Sequence, residues 1–135
     1  ALISANGKKA GNAPSWYLHL EPGGSFLASG IYEPAPEQLV AIRQEIEYNP
    51  EEFRAILASD ELKKRFGALQ GNQLKTAPKS YPKDHPEIVF LRHTQWYFMK
   101  SYGDSEISSP DFPQRFSDDA LRLLPFLRFL ERALA

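Results

Sequence analysis

An α+β fold is predicted: an antiparallel sheet with a hairpin over about 16–31 and a third strand over about 94–102, packed by several helices including a long C-terminal one. Three observations carry that expectation. Trp16, Leu18 and Leu20 alternate with Tyr17, His19 and Glu21, the period of two that sends successive side chains to opposite faces of a strand. Pro22-Gly23-Gly24 breaks the run before 25–31 resumes it around Phe26 and Leu27, which is the pattern of a hairpin. Phe112, Phe116, Ala120, Leu123, Leu127, Leu130 and Leu134 recur at steps of three and four, the stripe of an amphipathic helix.

Taken in order, residues 1–15 are small and polar and read as a loop or an edge segment. Gly30, near the end of the second strand, marks a bulge or a close approach of two backbones. Pro36 suits the first residue of a helix, and Leu39, Ile42, Arg43 and Ile46 follow at helical spacing. Asn49-Pro50-Glu51-Glu52 repeats the start signal, with Asn49 as the cap of a second helix. Ser59-Asp60 opens a third, which Gly67 closes. Residues 68–82 are irregular, and loops of that length within a compact domain are more often functional than average. Asp84-His85-Pro86 opens a short helix through Leu91. In the third strand Trp96, Phe98, Lys100 and Tyr102 share one face and Gln95, Tyr97 and Met99 the other; the aromatics on both sides predict a sheet covered on both faces. The last helix runs over about 110–134, with Ser109 as its cap and a kink at Pro125. Phe126 and Phe129 widen its apolar stripe beyond what one core needs, so a preceding N-terminal half or a partner subunit is expected to cover it.

Composition narrows the function classes. The chain has 135 residues, about one domain: either a single domain or the C-terminal portion of a longer one. Hydrophobic residues at 42% and charged residues at 24% are ordinary globular usage, which argues against disorder. A net charge of −1 argues against a nucleic-acid partner. No apolar run approaches the roughly 20 residues of a membrane span, so no membrane association is expected. With no cysteine there is no disulfide, thiolate zinc site or thiol nucleophile, which suits a reducing, cytoplasmic setting.

The charge distribution is uneven. Residues 33–61 hold eight acids and two arginines, whereas 62–83 hold six bases (Lys63, Lys64, Arg65, Lys75, Lys79, Lys83) and no acid. Two readings stand: a solvated loop balanced by the acidic helices, or a surface that accepts an anion. The cluster Lys75-Thr76-Ala77-Pro78-Lys79-Ser80-Tyr81 puts two ammonium groups four residues apart around a rigid proline, with a phenol close behind. Lys75, Lys79 and Tyr81 are therefore the candidate ligand-binding residues, joined by Lys8 and Lys9 of Asn6-Gly7-Lys8-Lys9. His19 and His93 are the candidate general bases. His85 reads as a helix-start residue, and His93 as a cation at a helix end. No histidine pair has metal spacing, no G-x-S-x-G or P-loop is present, and neither metal nor cofactor is expected.

Gly7-Lys8-Lys9, residues 16–26, Gly30-Ile31-Tyr32-Glu33-Pro34 and Ile42-Arg43-Gln44-Glu45-Ile46 resemble the family called domain of unknown function 2461. Leu74-Lys75, Pro78-Lys79, Tyr81, Asp84-His85-Pro86 and Ser109-Pro110-Asp111-Phe112 continue the likeness in the same order, from about Gly7 to Leu134. The resemblance implies no activity. It implies a preceding half, so this chain would be the C-terminal part, and it implies a glycine beside Lys79 where this chain has Ser80. Three functions are weighed: a domain without demonstrable catalysis that binds a small anion through the basic loop, an enzyme acting on a phosphorylated or carboxylated small molecule with a histidine base, and an interaction module using the last helix.

Overall fold

Four strands form one antiparallel sheet in the order β1-β2-β3-β4: β1 Leu2–Ser4, β2 Ser15–His19, β3 Ser25–Ile31 and β4 Trp96–Tyr102. The computed structural model describes residues 2–4 and 12–135, so Lys8 and Lys9 lie outside the described residues. The predicted hairpin is β2–β3, with Leu18 opposite Leu27 and a turn closed by the Gly24 N–H on the Glu21 carbonyl at 2.9 Å. The edge segment expected near the N-terminus is β1, which pairs with β2. Gly30 marks a close approach. Its φ is +145°, and a Cβ there would lie 2.0 Å from the Trp96 carbonyl oxygen, so only glycine lets β3 pair with β4 at this point.

Seven helices are described: α1 Pro36–Tyr48, α2 Pro50–Leu57, α3 Asp60–Phe66, α4 Ile88–Leu91, α5 Asp104–Ile107, α6 Phe112–Arg122 and α7 Leu124–Ala133. Ser59 caps α3 by accepting from the Leu62 N–H at 3.4 Å. The other two expected side-chain caps are spent elsewhere. Asn49 donates its amide to Glu45, and Ser109 donates its hydroxyl to Asp111. The long C-terminal helix is divided at Leu123 into α6 and α7. Pro125 explains the break, because it has no N–H to give and its ring crowds the carbonyl one turn back.

That break also answers the excess of apolar surface. Phe126 and Phe129 are 0% and 1% exposed, packed on Phe98 and Phe53 within this chain. The expected cover from an N-terminal half or a partner subunit is therefore not what buries them: the sheet and α1–α2 do. Leu27, Ile31, Trp96, Phe98 and Tyr102 supply the sheet side of this core. Two indole N–H groups are satisfied at its edges, Trp16 by the Ala120 carbonyl at 3.0 Å and Trp96 by the Phe90 carbonyl at 3.1 Å. The other sheet face carries half-buried Tyr17, Phe26, Tyr97 and Met99, whose ring contacts are with one another and with His19 and Tyr32. This face is covered only in part, contrary to the two-sided burial expected. Among the described residues no helix is long and apolar enough to cross a membrane.

Candidate functional site

The segment 68–82 is less irregular than its composition implies, because its first half is held along the open edge of β4. Gln70 exchanges both backbone hydrogen bonds with Tyr97, at 2.8 and 3.1 Å. Leu74 N–H reaches the Arg92 carbonyl and Thr94 N–H the Asn72 carbonyl, each at 2.8 Å. Gly71 permits the contact: a Cβ there would stand 2.1 Å from the Gln95 carbonyl oxygen. The second half closes a turn at 78–81, with the Tyr81 N–H on the Pro78 carbonyl at 3.1 Å. Ser80 holds a φ of +79° in that turn, a conformation glycine adopts freely and serine does not. The tight turn is therefore made with Ser80, at the cost of local strain.

This turn faces α1 across a cavity of about 290 Å³ lined by Arg43, Glu47, Lys79, Ser80 and Tyr81, with Val40 and Gln44. Arg43 projects Nε to the Leu91 carbonyl at 2.8 Å and Nη2 to the His93 carbonyl at 3.0 Å, leaving Nη1 without a partner among the described residues. Burial weakens the hold of Arg43 on its proton, and the Tyr81 phenol opposes that effect; the guanidinium stays charged. Burial raises the Tyr81 pKa, assisted by the Glu47 carboxylate and offset by Arg43, so Tyr81 is a neutral donor at physiological pH. His85 accepts the Glu87 N–H at Nδ1 (3.0 Å), so the proton of the neutral ring sits on Nε2, 3.2 Å from Glu47.

A larger cavity, about 480 Å³, borders α4 and shares no lining residue with the first. Leu57, Leu69, Val89 and Phe90 line it with Lys63 and His93. His93 is 3% exposed and stacks on Trp96. Burial, with help from Arg92 and against the Gln95 hydrogen bond, lowers its pKa below the ordinary 6.5. The expected cation at a helix end is thus a neutral imidazole, because desolvation outweighs the favourable carbonyl dipoles.

The predicted residues are therefore divided. Lys79 and Tyr81 share the smaller cavity, while Lys75 is exposed and borders neither. His93 borders the larger one with Lys63. His19 sits on the outer sheet face, stacked on Phe26 with Nε2 3.5 Å from Glu21, and borders neither cavity. Of the six bases at 62–83 only Arg65 is ion-paired among the described residues, with Glu61 and Asp119. The acids of the preceding segment are answered elsewhere: Arg132 meets Glu45 and Glu52, and His85 meets Glu47. Apart from Arg65 on Glu61, no base of the strip is ion-paired with its acidic neighbour among the described residues. Arg43 and Glu47 were missed because their spacing reads as an ordinary helix face.

A third polar cluster ties α6 to the sheet. Asp119, 3% exposed, accepts from the Tyr102 hydroxyl at 2.6 Å, Arg65 at 2.9 Å and Lys100 at 3.0 Å. Burial opposes its ionisation, and these three donors outweigh it, so the carboxyl lies below its usual range. Every oxygen is engaged inside the fold, which makes the cluster a structural tether.

These features define an α+β fold with a helical layer on one face of its sheet and the segment 70–74 paired along the edge of β4. Residues 1–129 match the family described as conserved hypothetical protein (DUF2461), and the chain belongs to that family. No curated protein and no solved structure matches it significantly.

Proposed function

We propose that this chain binds a small anionic ligand in the cavity between α1 and the 78–81 turn, without itself performing chemistry on it. The observation that supports this is the convergence of Lys79, unpaired among the described residues, with Arg43, Ser80 and Tyr81 around one opening. Ammonium, guanidinium and two hydroxyl donors form the set that carboxylates and phosphates accept from. Glu47 lines the same opening but receives the His85 Nε2–H. A ligand with a hydroxyl or amine beside its anionic group would suit it best. Neither His19 nor His93 borders this cavity, which favours binding over the histidine-base reading. A cytoplasmic setting belongs to the same proposal and rests on the cysteine-free composition.

Titration with inorganic phosphate, followed by amide NMR, tests the reading. Lys79→Ala should weaken binding about threefold or more, and added salt should weaken it in the wild type. Lys75→Ala should change little, since Lys75 borders neither cavity. Equal phosphate affinity in wild type and Lys79→Ala would overturn the proposal.

A further inference from the structure

We propose that the 480 Å³ cavity beside His93 is a second, separate binding site, for a small and largely apolar carboxylate that also carries a hydroxyl donor. Its volume falls within the range of cavities that hold small molecules. The walls are largely apolar, from Leu57, Leu69, Val89 and Phe90, and three polar side chains, His93, Lys63 and Gln73, stand among them. Such a lining selects an apolar body and uses the polar groups to orient it.

The first polar group is the His93 ring. Nδ1 lies 3.0 Å from the Gln95 carbonyl oxygen, and a carbonyl only accepts, so Nδ1 carries the proton of the neutral ring. Nε2 is then a lone-pair acceptor, and it has no partner among the described residues. Stacking on Trp96 and the close passage of Gly71, whose Cβ would lie 3.1 Å from Nδ1, hold the ring in this orientation. Ser15, Ser29 and Tyr32 hold the enclosed side-chain atoms without partners among the described residues; Nε2 is not one of them, so it is open to the cavity His93 lines, where a ligand hydroxyl can donate to it in place of water. Burial keeps the ring neutral at physiological pH, which preserves the acceptor.

The second is Lys63, exposed on α3 and bordering the same cavity, with no acid paired to it. It supplies the charge for a carboxylate. The arrangement therefore reads a donor at the buried end and an anion at the open end. The site does not depend on Lys79, because the two cavities share no lining residue.

The test uses 4-hydroxyphenylacetate as probe, with 4-methylphenylacetate and 4-methylphenol as comparators lacking the donor and the carboxylate. Binding is followed by amide NMR and by the ¹⁵N resonances of the His93 ring. The hydroxyl probe should bind saturably and move the Nε2 resonance towards that of a hydrogen-bonded acceptor. Loss of the hydroxyl should weaken binding about tenfold, and loss of the carboxylate about threefold. Lys63→Ala should abolish the preference for the carboxylate. Val89→Trp, at a position 58% exposed on the cavity wall, should block entry without disturbing the core. Lys79→Ala should leave probe binding unchanged, which separates this site from the phosphate site. No saturation up to about 10 mM, saturation with an unmoved His93 resonance, or equal affinity in Lys63→Ala and Val89→Trp would each overturn the proposal.

Discussion

Arg43 Nε donates to the Leu91 carbonyl at 2.8 Å, so a side chain from α1 holds the C-terminal end of α4. The same guanidinium takes the His93 carbonyl at 3.0 Å. A helix of four residues cannot satisfy its own last carbonyls and is too short to persist unaided. Arg43 fills both needs, and it lines the smaller cavity while Val89 and Phe90 of α4 line the larger.

Replacement of Arg43 by Lys keeps the charge but not the fork, since one ammonium cannot reproduce the planar Nε and Nη2 pair. R43K should cost about 1–2 kcal/mol in urea unfolding. It should also shift amide resonances at the C-terminal end of α4, around Leu91 and His93. A variant with wild-type stability would mean that α4 is held by packing alone.

Ser80 at φ +79° should be improved by glycine. The left-handed conformation costs a serine roughly 1–2 kcal/mol, and glycine returns part of that in unfolded-chain entropy. S80G should therefore gain about 0.5–1 kcal/mol and raise the midpoint of thermal unfolding by a few degrees. A loss of stability would contradict the strain assigned to this turn.

His93 sets a pH dependence. Its folded pKa lies below the unfolded value of 6.5. In the window beneath 6.5 and down to the folded value, the unfolded chain binds a proton that the folded chain does not, so stability rises with pH there. Unfolding free energy should be level above about pH 7 and fall as the pH drops below about 6.5. H93Q should flatten that fall. An unchanged slope in H93Q would assign the proton to another group.

Asp119 sets a second dependence, of the usual carboxylate sign. Its folded pKa is depressed, so its contribution is present above the unfolded carboxyl range and is lost as the pH falls through the folded value. D119A leaves Tyr102, Arg65 and Lys100 without their common acceptor and should cost about 3 kcal/mol. D119N, which keeps an acceptor for Tyr102, should cost less. Equal, small losses in both variants would show the tether to be dispensable.

Local pattern was enough for much of the fold. The alternation from Trp16 to Glu21, the Pro22-Gly23-Gly24 break and the steps of three and four after Phe112 are consequences of strand and helix geometry, and each lies within one short stretch of chain. Hence the hairpin, β4 and the helices α1 to α3 fall where their residues predict. The family was legible for the same reason, since its motifs are contiguous runs. The sites were not, because they join residues with no shared local pattern. Arg43 and Leu91 stand 48 positions apart, and nothing in either neighbourhood announces the other. Lys75 and Lys79 look like one cluster, yet pairing of 70–74 against 92–97 leaves Lys75 in solvent while the Ser80 turn carries Lys79 to α1. His93 reads as a surface cation until Trp96 and the edge strip close over it, and desolvation then reverses its preferred charge state. Period and turn chemistry are properties of neighbours along the chain, whereas burial and convergence belong to neighbours in space, which exist only once the sheet and helices have packed.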